Sequence, residues 1–133
     1  MERAFKRDIG SLEAIFAFLE ACGSKHRLSE SVLFTSKFAV EEIFTNMVKY
    51  NSLGPEDISI IADVDSDNLT LRLIDVEETP FDITKKTGPD LDSPIEQRKP
   101  GGLGIHLVKN MVHKIDYEHT DNKSTVTLIM RLE

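Results

Sequence analysis

Residues 69–75 read "LTLRLID", with leucine at every second position: Leu69, Leu71 and Leu73. Side chains along a strand point alternately to opposite faces, so this spacing puts three leucines on one side. Thr70, Arg72 and Ile74 between them leave the other side mixed. A strand of this kind belongs to a sheet with one face to cover, and the cover must come from apolar faces elsewhere in the chain.

Two segments can supply it. In "SLEAIFAFLEACG", Leu12, Ile15, Phe16 and Leu19 recur at helical spacing, with Ser11 as N-cap and Gly23 as the C-terminal stop. In "LSESVLFTSKFAVEEIFTNMVKYN", Ser29 is placed to cap a second helix. There Leu33, Val40, Ile43, Phe44 and Met47 form a wide apolar face, which implies a helix pressed deeply into the core. Gly54 and Pro55 break the chain afterwards. "ISIIADV" pairs with the leucine strand across the turn "DSDN", and "RAFKRDI" supplies a short first strand. "LGIHLVKNMVHK" is a third helix with Ile105, Val108 and Val112 inward, and "IDYEHT" and "STVTLIMRL" close as a hairpin across "DNK".

The order strand, two helices, two strands, helix, two strands predicts an α+β fold. It is a two-layer α/β sandwich with a mostly antiparallel mixed sheet and helices on one face. The 133 residues fit one domain, 1–133. From Val76 to Pro100 no periodicity survives, and prolines recur at 80, 89, 94 and 100, so residues 76–100 read as a functional lid.

Totals exclude some functions. A net charge of −7 repels phosphate backbones and argues against nucleic acid as the main partner. Cys22 is the only cysteine, which rules out an internal disulfide and a cysteine-based zinc site. The start "MERAFKRDIG" has no apolar signal core. No apolar run approaches the roughly 20 residues that span a bilayer. The expectation is a soluble cytoplasmic protein with no membrane association.

Three local signals carry chemistry. Glu42, Asn46 and Tyr50 are four residues apart, an advance of about 400° per step, so they share one helix stripe. A carboxylate and an amide oxygen on one stripe can take a hard cation such as magnesium, and the carboxylate can accept a proton in phosphoryl transfer. A polar stripe bordering an apolar one gives the same pattern without chemistry. Gly101, Gly102 and Gly104 open the third helix, where bare backbone N–H groups can meet an anion, with Arg98 and Lys99 just upstream. A tight turn with close helix packing is the alternative. Asp75 ends the leucine strand, at the kind of position where functional polar groups sit, although an ordinary turn residue fits as well.

Glu-x-x-x-Asn on a helix, a strand aspartate before Pro80-Phe81-Asp82, and Gly-Gly-Leu-Gly opening a helix fall in the order seen in the GHKL ATPase superfamily. The likeness runs from Leu12 to Leu132, and its nearest form is the anti-sigma-factor serine/threonine kinases of bacterial partner-switching systems. "AVEEIFTNMVKY" resembles the family's N box and "RKPGGLGIHLVKNMVHKIDYE" its second glycine box. The resemblance implies the Bergerat ATPase fold, with ATP and Mg2+ as cofactors. It implies phosphorylation of a small anti-sigma-factor antagonist protein, competition with a sigma factor, and a homodimer. Glu42 would orient or deprotonate the attacking group, and Asn46 would hold magnesium. Gly102 and Gly104 would receive the phosphates, helped by Gly101 and Arg98. Thr125 would lie near the adenine pocket.

The first glycine box departs from the family's Asp-x-Gly. Aligned on Pro80, Val76 takes the aspartate position and Glu78 the glycine position, and only a one-residue shift lets Asp75 serve. This predicts ATP binding weaker than is usual in the family. The alternative reading is a non-catalytic regulatory module of the same fold, impaired in ATP binding.

Overall fold

A computed structural model describes residues 1–51, 54–77 and 103–132. Five strands form one sheet in the order β1-β2-β3-β5-β4: β1 (Glu2–Phe5), β2 (Ile58–Val64), β3 (Asn68–Val76), β4 (Lys114–Thr120) and β5 (Lys123–Arg131). All four pairings are antiparallel, so the sheet is not mixed. Three helices, α1 (Leu12–His26), α2 (Glu30–Tyr50) and α3 (Leu103–Met111), accompany it.

The leucine alternation orients the sheet as expected. Leu69, Leu71 and Leu73 are buried, and so are Ile58, Ile60 and Ala62 of β2 and Val126, Leu128 and Met130 of β5. Ile15, Phe18, Leu19 and Cys22 of α1, Ala39, Val40, Ile43, Phe44 and Met47 of α2, and Ile105 and Val108 of α3 close the same core. Burial of this much apolar surface is the main term holding the two layers together.

Helix ends show where local rules gave way. Ser29 caps α2 as expected, its hydroxyl accepting from the Val32 amide at 3.1 Å. Ser11 does not cap α1. Its hydroxyl donates to the Lys6 carbonyl at 2.8 Å, and Asp8 caps a 3-10 turn over Ile9–Ser11 instead. Gly23 does not stop α1, which runs on to His26 and ends at Arg27 in the left-handed region (φ 55°). Gly23 lies inside the helix, where a Cβ would meet the Leu33 side chain at 3.5 Å, an ordinary van der Waals contact. Phe16 is half-buried, and Phe18 takes the core position beside Phe5.

Both hairpins form. Asp65 closes the first, accepting from the amides of Asp67 and Asn68 at 2.8 Å each, and those bonds hold its carboxyl below the usual range. The second turns at Asp121 and Asn122, both at positive φ (54° and 61°), the signature of a type I′ turn. Lys123 is thereby drawn into β5, opposite Thr120.

Candidate functional site

The site lies where the C-terminal half of α2 crosses the ends of β3 and β5. Asn46, Met47 and Tyr50 of α2 line a small cleft with Asp75, Glu77, Tyr117, Ser124 and Val126. Period-two alternation delivers the sheet residues. Asp75 extends the Leu69–Leu71–Leu73 row by one step, is only 1% exposed, and pairs across the strands with Ser124. Val76 falls on the opposite face, beside Glu2, Ala4 and Lys123. Asp75, not Val76, is therefore the strand-end residue that faces the cleft.

Asp75 is held from behind. The Arg7 guanidinium, at the chain just past β1, ion-pairs with it, and both side chains are almost wholly buried (4% and 2% exposed). The Asn51 amide, at the C-cap of α2, donates to the same Oδ1 at 3.5 Å and to the Val76 carbonyl at 3.1 Å. Glu77 joins two sides of the cleft lining. Its carboxylate accepts from the Ser124 hydroxyl at 2.5 Å, and the Tyr117 hydroxyl shares that Ser124 oxygen at 2.9 Å. The backbone of Glu77 is tied to the β4–β5 hairpin, its amide donating to the Asn122 carbonyl and its carbonyl bonding His119 Nε2, each at 2.8 Å.

Glu42 and Asn46 sit half-buried on one stripe of α2, as their spacing requires. The Asn46 Nδ2 donates to the Glu42 backbone carbonyl at 2.6 Å, which orients the amide oxygen away from the helix backbone. Gly104 lies in the first turn of α3, and a Cβ there would overlap Oε2 of Glu42. This glycine is therefore required by close approach: its missing side chain lets the Glu42 carboxylate reach the N-terminal turn of α3. The helix dipole favours negative charge at that end. Tyr50 is exposed, with the Lys49 ammonium 5.5 Å from its ring centre.

Thr125 is not brought to the cleft. It stands on the outer face between Ile74 and Glu118, and Ser124 is the β5 residue that turns inward. Counting back by twos from Met130, Leu128 and Val126 finds Ser124 in the sequence. Arg7 had no such signal, since one arginine in a polar turn resembles any solvated charge. Arg98, Gly101, Gly102, Glu78 and Pro80–Asp82 lie outside the described residues, as does most of the 76–100 lid. Among the described residues, no group of three or more His, Cys, Asp or Glu could hold a metal ion, and no helix is long and apolar enough to cross a membrane.

The serine/threonine-protein kinase BtrW of Bordetella bronchiseptica is 24% identical over 113 residues, 84% of this chain and 79% of that protein. The serine-protein kinase RsbW of Listeria monocytogenes is 31% identical over 114 residues, 81% of this chain and 72% of that protein. A crystal structure of RsbU and RsbW domains from Mycobacterium tuberculosis shares the fold, with a TM-score of 0.71 at 15% identity. It covers 99% of this chain, which spans 32% of the longer one. Residues 5–130 match the model of the histidine kinase-like ATPase domain, and the chain belongs to that family.

Proposed function

We propose that this protein is a serine/threonine protein kinase of the anti-sigma-factor type. It binds ATP with magnesium beside α2 and transfers the γ-phosphoryl group to a small antagonist protein. Unphosphorylated antagonist competes with a sigma factor for it, in the cytoplasm, and the kinase acts as a homodimer. The observation that carries this reading is the contact between Glu42 and Gly104, which presents a carboxylate at a helix N-terminus in a family of ATPases. The names of the two relatives, both protein kinases, support the reaction class.

In this reading the base enters the cleft beside Asp75 and Ser124, and the phosphates lie toward the start of α3, at Gly101, Gly102, Gly104 and Arg98. The donor set suits magnesium. Asn46 offers one amide oxygen, and magnesium commonly takes few protein ligands and completes its shell with phosphate oxygens and water. Bound magnesium neutralises charge on the phosphates. Glu42 orients the acceptor hydroxyl and takes its proton. Equilibrium binding of ATP with and without magnesium, followed by transfer of labelled γ-phosphate to a purified anti-sigma-factor antagonist protein, tests the proposal. No ATP binding at millimolar concentration would refute it.

The second reading, a non-catalytic module of the same fold, draws on one observation. The Asp75 carboxylate already has Arg7 and Asn51 as partners, and Glu77 and Ser124 join across the cleft. The same binding measurement separates the two.

A further inference from the structure

Gly104 begins a stripe on α3. Leu107 and Met111 follow it by three and seven residues, so all three share one side of that helix. Gly104 faces Glu42 of α2. Leu107 and Met111 therefore lie on the side turned toward α2, yet they stay 41% and 37% exposed. On α2 the matching stripe is Ser31, Thr35, Phe38 and Glu42. Met111 lines one cavity, of about 270 Å3, with Ser31 and Thr35. Because Glu42 meets Gly104 while Thr35 shares a cavity with Met111, α2 and α3 run antiparallel with a groove between them. From Glu42 back to Ser31 it follows about 16 Å of helix.

The two ends of the groove differ in chemistry. One end holds the Glu42 carboxylate, beside the first turn of α3. At the other, Arg131 and His113 line the same cavity as Met111. The exposed Arg131 guanidinium donates to His113 Nε2 at 3.1 and 3.3 Å. It borders Asp67 of the β2–β3 turn, but among the described residues it makes no ion pair. In a chain of net charge −7 most of the surface repels an acidic group, and an arginine closing an apolar groove attracts one. A protein substrate of the proposed reaction must also bring a hydroxyl to Glu42. Part of its surface then lies along whatever adjoins that carboxylate, and the groove does.

We propose that the groove between α2 and α3 docks the protein substrate, taking an apolar patch with the acceptor serine or threonine at one end and a carboxylate at the other. This rests on the kinase reading given above. Leu107 and Met111 are the apolar anchors, Arg131 meets the carboxylate, and the acceptor hydroxyl arrives at Glu42.

The test is equilibrium binding of a purified anti-sigma-factor antagonist protein to wild type, L107D, M111D and R131Q. ATP affinity, thermal unfolding and sedimentation equilibrium are recorded for each. L107D and M111D should weaken antagonist binding by roughly tenfold to a hundredfold, the range for losing one buried apolar anchor. R131Q should weaken it by up to about fivefold, and by less at high salt. ATP affinity should not change. I9D alters another exposed apolar residue, beside β1 at the opposite edge of the sheet, and should bind antagonist like wild type. Folded L107D and M111D with wild-type antagonist affinity overturn the inference, and so does an equal loss in I9D. Variants that dissociate a wild-type dimer but still bind antagonist show that a second copy fills the groove, which also overturns it. If the aspartate variants do not fold, L107A and M111A with wild-type affinity overturn it instead. Wild type that binds antagonist through these residues but transfers no phosphate refutes the kinase reading and leaves the docking surface standing. Wild type that binds no antagonist refutes the docking.

Discussion

Gly104 acts through the side chain it lacks. Replacing it by alanine would force Glu42 aside, and the group displaced is the far end of a flexible side chain. The fold should therefore survive, and alanine's helix propensity adds up to about 1 kcal/mol. G104A is expected to melt at or above the wild-type temperature while γ-phosphate transfer falls toward the level of E42Q. General-base assistance is worth roughly 10²–10⁴ in rate. E42Q should accordingly bind ATP nearly normally and transfer about that much more slowly, as single-turnover measurement with bound ATP would show. Unchanged transfer in either variant would remove Glu42 from its role. At this scale the sequence was legible where periodicity governs. The Glu42–Asn46 stripe and the inward Asp75 both follow from helix and strand spacing. Alignment on Pro80 pointed to Val76 instead, because a motif match ignores which face of the strand a residue occupies. Arg7 was illegible because its partner lies 68 residues away in the chain, and no local pattern encodes a contact of that range.

Elements formed where their apolar periods placed them, and the departures lie at their ends. Ser29 makes the capping bond that its position foretold, and S29A should cost about 1 kcal/mol. For a chain of this length that is roughly 4 °C in melting temperature. Scanning calorimetry showing no change would mean that the bond contributes nothing. At the end of α1, Arg27 holds a left-handed conformation that costs a non-glycine residue about 1–2 kcal/mol. R27G relieves that strain but gives back about 0.5–1 kcal/mol in unfolded-chain entropy, so a net gain of about 0.5–1 kcal/mol is expected in chemical denaturation. The sequence suggested Gly23 as the stop because glycine is the commonest residue just past a helix. The helix runs three residues further, to His26, and the left-handed residue that ends it is Arg27.

The molecule as a whole offers one internal reporter of its integrity. Cys22 is 1% exposed inside the core, and burial is the largest cause pushing its thiol above the ordinary value of 9.0. The folded state therefore holds that proton more firmly than the unfolded state does. The resulting contribution to stability is fully present below about pH 9 and is lost as pH rises through the higher folded value. At neutral pH a thiol reagent should label Cys22 only as fast as the protein opens, and labelling should quicken as pH rises past 9. Rapid stoichiometric labelling of folded protein at pH 7 would contradict this burial.

The bridge from Glu77 to Ser124 carries a consequence for timing. If a nucleotide base enters the cleft beside Asp75, as proposed, the Glu77 carboxylate there is already bonded to Ser124, and entry is expected to wait for that bond to open. In stopped-flow mixing with fluorescent ADP, the observed rate should climb with concentration and then level off, the plateau being the rate at which Glu77 lets go. In E77A the plateau should vanish and the rate keep rising in proportion to ligand. A strictly linear dependence in the wild type would mean that the door is never shut.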